Sequence, residues 1–112
     1  METCERFEIN YASQVKRQLQ VIDRKCHSLI RKEIEAQLVF EPDLQTRNRK
    51  LVHPPAPFDA GWEIRFGPTN RFRVFYDVYR ERCEVVVLAI GQKEGSRLVI
   101  GNVTVGNEET GL

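Results

Sequence analysis

Between residues 62 and 78 the chain reads WEIRFGPTNRFRVFYDV, with apolar and polar positions alternating on either side of a turn. Side chains along a strand point to opposite faces with a period of two, so Trp62, Ile64 and Phe66 share one face while Glu63 and Arg65 occupy the other. After Gly67-Pro68-Thr69-Asn70, a turn-forming run, Phe72, Val74, Tyr76 and Val78 continue the apolar face, and Arg73, Phe75 and Asp77 form its reverse. The pattern predicts a hairpin with one dry face and one arginine-bearing face.

The same period appears at residues 6–12, where Phe7, Ile9 and Tyr11 alternate with Arg6, Glu8 and Asn10 and predict a half-buried strand. Ser13 then offers a hydroxyl to cap a helix. From Val15 the spacing changes to steps of mainly three and four through Leu19, Ile22, Cys26, Leu29, Ile30, Ile34 and Leu38, an amphipathic helical stripe. Continuous spacing argues for one helix, whereas Asp23 as a second cap would make a helical hairpin; both arrangements stay open.

Residues 40–61 hold four of the five prolines without sustained periodicity and predict a long connection, a kind of segment that often carries function. Residues 83–91, CEVVVLAIG, form a nearly unbroken β-branched run expected of a strand covered on much of both faces. Residues 96–105 predict one or two short strands, and the tail from 106 reads as frayed. Short turns make neighbouring strands antiparallel. The expected fold is therefore one α+β domain over residues 1–112: a small twisted, mainly antiparallel sheet of four to five strands, with a helix or helical hairpin on one face and the other face open.

A chain of 112 residues can bury roughly two-thirds of its unfolded surface and needs no staples. Net charge is only +1, but residues 47–97 carry ten Lys and Arg against six acids, while the remainder carries seven against ten. A basic half beside an acidic one attracts a polyanion through one face, although a solvated mixed surface gives the same counts. Cys4, Cys26 and Cys83 are odd in number, widely spaced and lack a CxxC pattern, so they are expected as reduced thiols in the cytosol, without a metal. Adjacent helical residues diverge by about 100°, which makes Cys26 and His27 a poor nucleophile–base dyad. No apolar run is long enough to span a bilayer. His53 lies in the proline-rich connection; histidine is the side chain best suited to proton transfer near neutrality, yet a loop histidine is more often surface decoration.

Element order together with the segments TRNRK, PAPFDAGWEIR, FRVFYDV and VLAIGQKEGSRLVIG resembles the RelE/ParE superfamily of type II toxin–antitoxin toxins, from Phe7 to about Val105. The resemblance implies a cytoplasmic toxin neutralised by a cognate antitoxin and, in one branch, metal-independent and cofactor-free cleavage of mRNA on the ribosome. In that branch the site lies on the strands flanking the hairpin turn and the end of the following long strand. Arg65, Arg73 and Lys93 match its basic positions, and three cations would grip a phosphate as attack by the ribose 2′-hydroxyl builds charge on its oxygens. Arg71, Arg49, Lys50 and Arg97 would add phosphate attraction around them.

Two positions depart from the pattern. Glu63 stands where the nuclease branch often has a lysine, and Val99 falls near its functional tyrosine. Proton transfer would then fall to Glu63 or to His53. Arg73 also has an ordinary structural use, in a pair with Asp77 or with Glu63 across the hairpin. The resemblance therefore also admits an inhibitor of DNA gyrase, as in the ParE branch, or a catalytically inactive interaction module.

Overall fold

In the computed structural model, which describes residues 3–107, seven strands and two helices follow one another along the chain. Strand β1 (Glu8–Tyr11) precedes helices α1 (Gln14–Leu19) and α2 (His27–Leu38). Then come β2 (Arg49–Leu51), β3 (Trp62–Phe66), β4 (Phe72–Tyr79), β5 (Glu84–Glu94), β6 (Arg97–Ile100) and β7 (Val103–Asn107). Strands β2 to β7 are neighbours in chain order and antiparallel, while β1 pairs in parallel with Glu84–Val87 of β5. The α+β expectation holds, with seven strands rather than four or five.

The helical stripe is broken where Asp23 sits. Its carboxylate accepts a hydrogen bond from the Lys25 amide at 3.1 Å and starts a 3-10 turn that leads into α2. Ser13 does occupy the position before α1, but its side chain makes no capping bond. His27 follows the break, and its Nε2 lies 2.9 Å from the Leu19 carbonyl and 3.0 Å from that of Ile22, so the ring braces the end of α1 and the turn after it. This use of the ring removes it further from any dyad with Cys26.

Both helices lie on the dry face of the hairpin. Val15, Ile22, Ile30, Ile34 and Leu38 pack with Ile64, Phe66, Phe72, Val74, Tyr76, Val85, Val87 and Ile90 in one buried cluster. A smaller cluster of Ala60, Phe75, Ala89, Leu98 and Ile100 covers part of the reverse face, which is therefore not wholly open.

The cross-strand register explains how β5 serves both clusters. Tyr76 faces Val87 and Phe75 faces Ala89, so Leu88 is an extra residue, a β-bulge. A one-residue slip moves every following side chain to the other face. Val85 and Val87 accordingly point to the helices, whereas Ala89, Gly91 and Lys93 point away. Helix α1 secures the bulge: Gln14 Nε2 donates to the Leu88 carbonyl at 3.0 Å, and the Ile90 amide donates to Oε1 of the buried Gln18 at 2.8 Å.

Within the proline-rich connection, Arg49–Leu51 adds an edge strand to β3. The segment before it is pinned by three contacts. The Tyr76 hydroxyl donates to the Pro42 carbonyl at 2.7 Å, Arg80 forms a two-pronged pair with Asp43 at 2.6 and 2.9 Å, and Arg49 reaches back under it.

The cysteine expectation is overturned. Cys4 and Cys83 form a disulfide that ties the N-terminal segment to the turn between β4 and β5, and only Cys26 is free. The two residues are 79 positions apart, and the pairing of β1 with β5 brings them together. Gly106 and Asn107 of the expected frayed tail belong to β7, and residues 108–112 lie outside the described residues. No helix among the described residues is long and apolar enough to cross a membrane.

Candidate functional site

Arg65 and Arg73 face each other directly across β3 and β4. Like charges in that position repel, and Glu63 relieves the repulsion from two residues along β3. Its Oε2 lies 3.4 Å from Arg65 Nε and 3.6 Å from Arg73 Nη1, and its Oε1 lies 3.8 Å from Lys50 Nζ. Lys50 is there because β2 pairs it with Glu63. One carboxylate thus gathers three cations on the face turned away from the helices.

Burial separates their roles. The Glu63 and Arg73 side chains are 4% and 3% exposed, against 32% for Arg65 and 52% for Lys50. Arg73 also donates from Nε to the Asn70 carbonyl at 3.0 Å, which ties it to the hairpin turn. Of the two pairings open to Arg73, the structure shows the one with Glu63; Asp77 instead accepts the Gly61 amide at 2.7 Å. Arg65 and Lys50 are the members that present charge to solvent.

Gly91 faces Arg73, and the bulge at Leu88 sets the register that puts Lys93, two residues further on, on the same side of the sheet. Lys93 shares a shallow pocket of about 230 Å³ with Thr69, Arg71 and Gly95 at the end of the hairpin. The Arg71 guanidinium in this pocket is held by Gln92, to whose Oε1 its Nε and Nη2 donate at 3.2 and 2.9 Å, and it lies over the Phe72 ring.

Two of the expected phosphate-attracting residues do not join. Arg49 is buried, and its guanidinium donates to the carbonyls of Gln37, Glu41 and Leu44. It fastens the connection after α2 to the sheet and has no charge to offer a ligand. Arg97 faces Glu94 across β5 and β6, while Lys93 faces Leu98, so Arg97 stands on the other face from Lys93. Val99 faces Gln92 and likewise stands on the face opposite Lys93.

His53 is exposed and lines a groove of about 310 Å³ together with Lys50, Glu63, Phe75, Leu98 and Val105. The two candidate proton-transfer groups therefore border one space, with a cation at its edge. The apolar part of this groove was missed from the sequence because Leu98 and Val105 come from strands remote from the hairpin. Gln18 was missed as well, although its position three residues after Val15 and four before Ile22 puts it on the core side of the helical stripe.

Neither a protein-family model nor a curated protein sequence matches the chain. Among solved structures it is similar to the RelBE2 toxin–antitoxin complex from Mycobacterium tuberculosis, with a TM-score of 0.66 over 83% of this chain and 98% of the other at 16% identity. This is a RelE-like fold. In it the Glu63 cluster and the His53 groove occupy the sheet face that the helices leave uncovered.

Proposed function

We propose that the protein is the toxin of a type II toxin–antitoxin pair and represses translation by cutting ribosome-bound mRNA on the reverse face of its sheet. The observation that carries this reading is the convergence of Lys50, Arg65 and Arg73 on Glu63 beside the groove that holds His53. The solvent-facing charges of Lys50 and Arg65 make the edge of the cluster attractive to a phosphodiester.

In the reaction, the ribose 2′-oxygen attacks the adjacent phosphorus and gives up its proton, the bond to the 5′-oxygen breaks, and that oxygen takes up a proton. A 2′,3′-cyclic phosphate and a 5′-hydroxyl result. Arg65 and Lys50 stabilise the charge that grows on the phosphoryl oxygens. Arg73 is a positioning residue that holds Glu63 and, through it, Arg65. His53 transfers protons, because Glu63 is engaged by its three cations. Lys93 receives a neighbouring phosphate further along the face.

A second reading is favoured by the burial of Arg73: a toxin of the same fold that binds its target, DNA gyrase among the candidates, without cutting RNA. Expression with and without the product of an adjacent gene tests the toxin reading. Growth arrest relieved by the neighbour is expected, and undisturbed growth contradicts it. A gyrase supercoiling assay distinguishes the two targets.

A further inference from the structure

The two ends of the sheet are guarded differently. Its first edge, β2, carries Lys50, whose side chain is 52% exposed, and a charge on an edge strand discourages another strand from pairing with it. Its last edge, β7, carries neither charge nor proline. From Leu98 to Asn107 there is no Asp, Glu, Lys or Arg, the longest such run in a chain that is 29% charged. Among the described residues β7 pairs only with β6, so one row of its backbone donors and acceptors is open.

The side chains along this edge are also exposed and apolar. Val103 faces Ile100 across β6 and β7, and Val105 lines the same groove as Leu98. Ile100 and Leu98 belong to the reverse-face cluster, so Val103 and Val105, 61% and 45% exposed, carry that cluster out to the rim of the sheet. An occupant has to supply a strand, apolar side chains on one face and no charge, because an acidic or basic segment finds no counter-charge here. Strand β7 itself meets all three conditions.

We propose that β7 is a homotypic interface, at which two copies of the chain pair their β7 strands antiparallel about a twofold axis perpendicular to the sheet. Such an axis keeps equivalent faces on the same side, so Val103 and Val105 of both copies form one apolar strip and the two sheets become continuous. Because Val105 also lines the His53 groove, the second copy stands beside the candidate site.

One short edge makes a small contact, below the roughly 1,200 Å² of stable interfaces, so the association depends on concentration. Sedimentation equilibrium of the intact chain from about 1 to about 500 µM spans the range in which such a dimer forms. The mean mass should rise from the 13.0 kDa of one chain toward twice that value. Val103→Lys combined with Val105→Lys, both at exposed positions, should weaken association at least about tenfold while the melting curve is kept, and so should Val103→Glu combined with Val105→Glu. An equimolar mixture of the two double variants should regain the dimer, since opposite charges then meet across the strands. A native chain that keeps the single-chain mass throughout overturns the proposal. So does a dimer that survives either double substitution, or a mixture no more associated than its components.

Discussion

Glu63 Oε2 lies 3.6 Å from Arg73 Nη1, and both side chains are almost wholly buried on the sheet face away from the helices. Removing Glu63 takes away the carboxylate that Arg73, Arg65 and Lys50 share, and breaking a buried pair typically costs about 3–5 kcal/mol. Glu63→Ala should therefore lower unfolding stability by about 3 kcal/mol in urea titrations. The double variant Glu63→Leu with Arg73→Met should recover most of that loss, since an apolar replacement of similar volume needs no partner. Full additivity of the two single losses would contradict the pairing.

Gln18 links the first helix to the placement of Lys93. Its Oε1 accepts the Ile90 amide beside the Leu88 bulge. Gln18→Ala leaves that buried amide unsatisfied, at a cost of about 1–3 kcal/mol. Native-state hydrogen exchange should quicken at Ile90 relative to the amides of β3. Unchanged exchange would show that the bulge holds without the helix.

Much of this arrangement is legible in the sequence because it follows from local alternation. Residues 62–66 and 72–78 specify their own faces, and Arg65, Arg73 and Glu63 fall on one side as the period of two requires. Strand β2 is not legible, since three residues between irregular segments carry no period. The burial of Arg49 is hidden for a related reason: its partners are carbonyls of Gln37, Glu41 and Leu44, which have no sequence signature. Lys93 is a subtler case. Strict alternation from Val85 would put it under the helices, and only the bulge at Leu88 turns it outward. The Cys4–Cys83 pair depends on the parallel pairing of β1 with β5, a contact across most of the chain.

That disulfide closes a loop spanning most of the molecule, which restricts the unfolded chain and commonly contributes about 2–4 kcal/mol. Reduction, or Cys4→Ser, should lower the melting temperature measurably. Identical melting curves with and without reductant would contradict a bond between these two residues.

Acid should loosen the segment that leads into β2. Donation by Arg80, followed by Coulombic attraction to it, holds the Asp43 carboxyl below its ordinary range, and partial burial opposes this. A lowered folded-state pKa means that the contribution is complete above the unfolded value of about 3.9 and is lost as pH falls through the folded value. The stability difference between the native protein and Asp43→Asn should therefore be constant near neutrality and shrink below about pH 4. A difference independent of pH across that window would contradict the pair.

The reverse face is tested most directly by mapping transcript 5′ ends in cells that express either the native chain or Arg65→Ala, whose side chain is 32% exposed and can be removed without opening the core. New ends in phase with codons for the native chain, lost in Arg65→Ala while its melting curve is kept, are the predicted result. Growth arrest without new ends, or the same ends from both proteins, would contradict the account.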